Sequence, residues 1–224
     1  LESALKLVPD AKSVYGVSVV HPLDKKNEAQ ARLDLQKWQG RLGFRYLSDM
    51  SLEEMLAAIS GAPRETIILY LAVSADNTGK TFNPRDVAER LSRVSNGPVF
   101  GLYESILGYG IAGGSLVSYD GIGTQAGQLA LSFLKIGSVP SKIPAILDVP
   151  GVLEFDWRQL KRWNLSVDAV PPGSIIINRE YTLWERNRTE MIVAFFVLVV
   201  QALLIVSLVE RRAQRQRAER QLAQ

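Results

Sequence analysis

Apolar positions along this chain fall into three patterns, and each predicts a different element. Short runs rich in β-branched residues, at residues 13–20, 43–48, 66–73 and 98–103, read as strands. The run at 66–73 (TIILYLAV) is almost continuously apolar, as strands buried on both faces of a parallel sheet are. Between the runs the spacing turns helical. Residues 1–8 close at Pro9-Asp10, and residues 25–39 form a charged, solvent-facing helix carrying Leu33, Leu35 and Trp38. Ser51 caps a helix through Ile59, with Glu54 three residues on completing a capping box. Asn83 and Pro84 open another that runs to Val94. Strands alternating with helices predict an α/β layer on a parallel sheet with right-handed crossovers.

Beyond Tyr103 the pattern changes. Residues 107–118 are glycine-rich and lead into a short strand, and Asp120 then opens a helix to Ile136. Ala126, Gly127, Ala130 and Leu134 lie on one face of that helix, with Leu129, Leu131, Phe133 and Ile136 around it. It is too apolar for an open surface, so it calls for a second packing partner. Residues 152–155 read as the last strand, and Asp156 caps a helix over 157–164. Pro171-Pro172-Gly173 then turns the chain toward the next segment.

That segment, residues 191–209, is apolar on every face and broken only by Gln201 and Ser207. A helix of this length reaches roughly 28 Å, close to the hydrocarbon thickness of a bilayer. Arg211, Arg212, Arg215, Arg217 and Arg220 follow it against Glu210 and Glu219, which places the C-terminal end on the cytoplasmic side. Residues 1–190 then lie outside, in keeping with the absence of cysteine from the chain. The expected division is a ligand-sensing α/β domain at 1–155, a juxtamembrane segment at 156–190, a transmembrane helix at 191–209 and a cytoplasmic signalling helix at 210–224. The last reads as the start of a coiled coil, so a homodimer through the span and that helix is expected. No leader is visible at Leu1-Glu2-Ser3 and the tail stops in mid-helix, as in a fragment cut at both ends.

A net charge of +3 without a basic stripe interleaved with aromatics argues against a nucleic-acid partner. His21 is the sole histidine, so neither a metal site nor a cofactor is expected. Gly108, Gly110 and Gly113 spell GxGxxG, but they lead into a strand rather than opening a helix, which argues against dinucleotide binding. No catalytic triad, Cys–His pair or phosphate loop can be assembled, and no catalytic residue is assigned. Short polar groups do cluster where strands end. Asp76, Asn77 and Thr78 follow the run at 66–73, Tyr103 and Glu104 follow the next, and Tyr119 follows the glycine-rich stretch. Open α/β sheets bind ligands at such ends, so these six residues are the candidate small-molecule site. For each one, ordinary loop and cap chemistry is the alternative.

The residues ILYLAVSADNTGKTF, GPVFGLYES and GIAGGSLVSYDGIGTQAGQLA resemble the later half of periplasmic substrate-binding proteins of type I fold, in the ABC-type branch. Asp76-Asn77 match that family's Asp-Asn after a core strand, and Tyr119 to Ala130 match its Y-x-x-x-G-x-x-A-G-x-x-A helix. The segment FDWRQLKRWNLSVDAVPPGSIIINREYTLWE is similar to the juxtamembrane part of bacterial sensor histidine kinases that carry such a domain outside the membrane. The resemblance implies one parallel-sheet lobe of a bilobal domain, the first lobe lying outside this sequence, with helix 120–136 returning to pack on it. It further implies a place in the bacterial inner membrane, a small-molecule ligand held by Asp76, Asn77, Tyr103, Glu104 and Tyr119, and a response regulator as downstream partner. The early cleft contact falls near His21 or Asp24 and departs from the family pattern. A membrane-anchored binding protein of an ABC transporter and a receptor with a cyclase output are the alternatives.

Overall fold

One mostly parallel sheet of seven strands forms the core of the computed structural model, which describes residues 1–18, 22–136, 150–181 and 183–222. The strands are β1 (Ser13–Val17), β2 (Gly43–Leu47), β3 (Thr66–Tyr70), β4 (Val99–Gly101), β5 (Gly113–Leu116), β6 (Val152–Asp156) and β7 (Ile175–Ile177). Their order is β2-β1-β3-β4-β5-β6-β7. β3 lies between β1 and β4, parallel to both, and every residue in it is buried. That environment explains its unbroken apolar run, since neither face of the strand meets water.

Helices cover both faces. α3 (Leu52–Ser60) and α4 (Pro84–Val94) place Leu52, Met55, Ile59, Val87 and Leu91 against Ile68, Tyr70 and Val99. α1 (Glu2–Leu7), α2 (Pro22–Leu35) and α6 (Trp157–Arg162) cover the other face, where Leu5, Leu7, Leu35 and Leu160 meet Ile67, Leu69, Phe100 and Phe155. The caps fall where the sequence puts them. The Ser51 hydroxyl accepts from the Glu54 amide while the Glu54 carboxylate accepts from the Ser51 amide, and Asn83 caps α4 with Pro84 in its first turn.

Three differences from the expected elements have physical reasons. The third run ends as a strand at Tyr70, because Ala72 takes φ +77° and turns the chain; the Tyr70 hydroxyl accepts from the Val73 amide and fixes that turn. β6 runs antiparallel to β5, so the sheet is not wholly parallel. The strand over Val152–Asp156 is also not the last. The Pro171-Pro172-Gly173 turn, with Gly173 at φ +82° and the Ser174 amide donating to the Pro171 carbonyl, leads into β7, which pairs parallel with β6. Three isoleucines beside a proline–glycine turn give too short a pattern for periodicity to reveal a strand. Residues 156–179 lie in the sheet unit, Leu1–Arg179.

α5 (Tyr119–Ile136) leaves Ile122, Leu131 and Leu134 exposed, Leu134 by 78%. The second unit, Glu180–Gln224, contains α7 (Leu183–Leu222), interrupted at Asn187 by non-helical φ −121° and ψ 25°. Within it Arg186–Ser207 is long and apolar enough to cross a membrane, with mean hydropathy 2.5 and none of its hydrophobic window buried.

Candidate functional site

The chain winds from β1 outward to β2 in one direction and from β3 through β4 to β5 in the other. The order therefore reverses between β1 and β3, and open α/β sheets take ligands outside the carboxyl ends of the strands at such a point. The segments after β1, β3, β4 and β5 reach this edge. Ser18, buried, ends the described part of the β1 segment, and His21, a candidate early contact, lies outside the described residues. The side chain of Asp24, the other candidate, lies there too.

After β3, residues 74–82 fold as a small hairpin. The Asp76 amide donates to the Lys80 carbonyl, the Phe82 amide to the Ser74 carbonyl, and Ala75 bridges Thr81. Asp76 is buried at its centre. Its Oδ1 accepts from the Thr78 hydroxyl at 2.5 Å and from the amides of Thr78 and Lys80 at 3.0 and 3.2 Å. Its Oδ2 accepts from the Leu52 amide at 3.3 Å. The Thr78 hydroxyl, ahead of the three amides, holds this carboxyl below the ordinary aspartate range, while burial opposes it. Asn77 donates through Nδ2 to the Asp49 carbonyl at 3.0 Å, where Asp49 sits at φ +64°. Asp76, Asn77 and Thr78 are thus brought together, and each bonds to the chain itself. Leu52 is the first residue of α3, so the Asp76 carboxylate satisfies a helix-start amide that has no partner inside its own helix.

Tyr103 and Glu104 follow β4. Tyr103 bridges Val117 across the strand ends, and the Glu104 amide donates to the Val117 carbonyl at 3.3 Å. The Glu104 side chain is half-buried. Its Oε2 is buried without a hydrogen-bond partner among the described residues, and its charge helps to raise the carboxyl pKa of Glu154 on β6, where burial is the larger cause. Tyr119, the first residue of α5, is 56% exposed. The six candidate residues therefore share one edge of the sheet but separate into the hairpin, the Tyr103–Glu104 corner and the α5 start.

What opens at this edge is a crevice of about 340 Å³ on the α2 face. Leu69, Leu71, Leu102 and Val117 floor it from three successive strand ends, Tyr103 flanks it, and Gln30, Ala31, Asp34 and Leu35 of α2 form the opposite side. Gln30 donates to Asp34 Oδ1 at 2.9 Å, which leaves Oδ2 as the carboxylate's second acceptor. An apolar floor with a few convergent polar groups is the ordinary composition of a small-molecule site. Of the six candidates only Tyr103 lines it. Gln30 and Asp34 escape a sequence reading because they sit on a helix whose polarity marks it as solvent-facing. Their signal is the i, i+4 spacing beside Ala31 and Leu35, which sets polar and apolar groups side by side along α2.

The glycine-rich segment does different work. A 3-10 turn at Glu104–Ile106 precedes it and β5 follows, so Gly108, Gly110 and Gly113 do not form a strand–turn–helix phosphate loop. A Cβ on Gly113, at φ +138°, would stand 2.2 Å from the Glu154 carbonyl oxygen. Among the described residues no three His, Cys, Asp or Glu side chains gather as a metal would require.

Neither a protein-family model nor a curated protein matches the chain. Solved structures do. A ligand-free, open substrate-binding protein with adhesive properties from Clostridium difficile superposes with TM-score 0.59 at 15% identity, over 80% of this chain and 59% of its own. An ABC domain from Streptococcus pneumoniae in complex with L-Trp gives 0.55 at 14% identity, over 78% and 58%. A conserved domain protein from Vibrio cholerae O1 biovar El Tor gives 0.51 at 19%, over 76% and 55%. At these identities the likeness is one of fold, and this chain spans less than three fifths of each neighbour's length.

Proposed function

We propose that this chain is the ligand-binding and membrane-crossing part of a bacterial sensor histidine kinase, carrying small-molecule binding from outside the inner membrane to a cytoplasmic output. The observation that carries the reading is the joining, in one chain, of a sheet with a carboxyl-edge crevice to an apolar helix that runs on to Leu222. A transport-linked binding protein needs an anchor but no charged helix beyond it, and this helix continues through Arg211, Arg212, Arg215 and Arg217. In this reading residues 1–190 face outward, 191–209 cross, 210–224 start a cytoplasmic coiled coil, and the receptor works as a homodimer on a response regulator.

Asp76, Asn77, Thr78, Tyr103, Glu104 and Tyr119 remain the proposed ligand edge. The crevice adds Gln30 and Asp34 and points to a ligand with an apolar body and a hydrogen-bond-donating or cationic group. The domain closes around it, and the population shift is set by the difference in affinity between open and closed forms.

The test is a fusion of residues 1–224 to a histidine-kinase core in vesicles, with L-tryptophan, other amino acids and simple amines as probes. A probe that raises the melting temperature should also change autophosphorylation. A probe that binds with saturation and leaves phosphorylation unchanged at every fusion register would favour the transport reading. External protease should cut the sheet unit and spare the C-terminal helix; protection of the sheet unit would reverse the orientation.

A further inference from the structure

At the amino-terminal edge of β4 and β5, opposite the crevice, two helices and a glycine turn converge. α4 carries Arg85, Glu89, Ser92 and Arg93 at i, i+4, i+7 and i+8, and so along one side. α6 carries Arg158, Gln159 and Arg162. Residues 108–110 pass between them with Gly108 at φ +90° and Gly110 at φ +99°, and a Cβ on Gly110 would stand 2.6 Å from Ser92 Cβ. Only glycine lets the main chain lie this close to α4. The Arg85 guanidinium stacks 4.9 Å over the Tyr109 ring and steadies it.

Together they enclose a pocket of about 280 Å³, lined by Arg93, Arg158, Arg162, Tyr109 and Gln159, with Glu89 at its side. Arg158 donates to Asp156, whose side chain is fully buried behind it, and to the Gly108 carbonyl at 3.0 Å. Arg93 pairs with Glu89 at 3.2 Å. Arg162 instead donates to Ser92 Oγ and the Ser92 carbonyl, at 2.9 and 2.8 Å, and no carboxylate pairs with it among the described residues. Arg93, Arg158 and Arg162 thus meet two carboxylates there, Glu89 and Asp156. Gln159 also lines the pocket, and its Oε1 is buried without a hydrogen-bond partner among the described residues.

We propose that this pocket is a binding site for a phosphate group. Arg93 and Arg162 keep N–H donors beyond the bonds just named, since a guanidinium carries five, and such donors match phosphate oxygens; the excess positive charge falls at Arg162. At about 280 Å³ the pocket suits the phosphate of a ligand better than a whole drug-sized molecule, for which about 300–1,000 Å³ is usual. A lipid headgroup and a free phosphate are both sources of the same chemistry. The site shares no residue with the crevice and does not depend on its ligand.

The test uses the 224-residue chain in non-ionic detergent, titrated by calorimetry with inorganic phosphate and, separately, with a short-chain phosphatidic acid against the matching phosphatidylcholine. Saturable binding of inorganic phosphate identifies free phosphate as the source. Binding of phosphatidic acid alone identifies a lipid headgroup. Arg162→Gln should weaken whichever binds by about tenfold or more, as loss of a charge-assisted bond does, with Arg162→Lys falling between. Arg93→Gln should weaken it by a smaller factor, and Lys12→Gln, on an exposed surface ion pair away from the pocket, should leave it unchanged. If Arg162→Gln fails to fold, Arg93→Gln and Tyr109→Phe decide, and unchanged binding in both overturns the site. So does the absence of saturable binding of either probe, or an effect of Lys12→Gln as large as that of the pocket variants.

Discussion

The Asp76 carboxylate meets the Leu52 amide at 3.3 Å across twenty-four residues of chain, tying the hairpin after β3 to the first turn of α3. Because Asp76 Oδ1 is also held by the Thr78 hydroxyl and two amides, the side chain anchors the edge that the ligand reading depends on. Asp76→Ala should therefore lower the melting temperature of the full chain by several degrees in a circular-dichroism melt. Asn77→Ala, which removes a single bond to the Asp49 carbonyl, should lower it less. Equal melting temperatures for Asp76→Ala and the unmodified chain would mean that the carboxylate serves a ligand and not the hairpin.

Two carboxyls give stability opposite slopes with pH. Asp76 has its pKa lowered, first by the Thr78 hydroxyl, so its contribution is present above the ordinary aspartate range and is lost as pH falls through the lowered value. Glu154 has its pKa raised, first by burial and then by Glu104, so folding holds its proton more tightly. Its contribution is complete below the ordinary glutamate range and disappears as pH rises through the raised value. Glu154→Gln should then raise the melting temperature at neutral pH and leave it little changed in acid. A drop at neutral pH would show instead that the Glu154 charge is used by a partner.

Gly113 sits where β4, β5 and β6 close on one another. A methyl group there would fall 2.2 Å from the Glu154 carbonyl oxygen and 2.5 Å from the Phe155 ring, at a φ of +138° that L side chains rarely adopt. Gly113→Ala should destabilise the sheet by about 3 kcal/mol or more, measured by urea unfolding of the full chain. Gly79→Ala, also at positive φ but with open space around it, should cost about 1 kcal/mol. Equal losses would mean that backbone strain, and not close approach, decides both sites.

Much of this fold is legible in the sequence because the local signals agree with one another. The capping box at Ser51 and Glu54, the Asn83-Pro84 start and the apolar run of β3 each state an element without reference to the rest of the chain. β7 is not legible. Ile175–Ile177 is too short for periodicity and becomes a strand only because β6 offers it an edge. The Asp76 anchor and the Asp34 margin of the crevice stay hidden for a related reason. Both depend on which distant element the sheet brings alongside, the start of α3 for one and the ends of β4 and β5 for the other. The apolar face of α5 shows the reverse: Leu131 and Leu134 announce a packing need, and among the described residues that need is unmet.

The crevice and the hairpin make different demands on a ligand, and Asp34 separates them. Its side chain lines the crevice along with Leu71, Leu102 and Val117, and Gln30 donates to its Oδ1. Asp34 is exposed, so Asp34→Asn removes a charge without burying an unpaired group, and the melting temperature should not change. A ligand bound through its amine in the crevice should lose about tenfold in affinity, the size expected when a charge-assisted hydrogen bond becomes a neutral one. Leu102→Arg should abolish binding by filling the floor, and Tyr103→Phe should weaken it only if the ring hydroxyl touches the ligand. If Asp34→Asn and Leu102→Arg both bind amino acids and amines as the unmodified chain does, while Asn77→Ala does not, the ligand lies on the hairpin side of the edge. The crevice would then be a groove that the fold leaves open for other reasons.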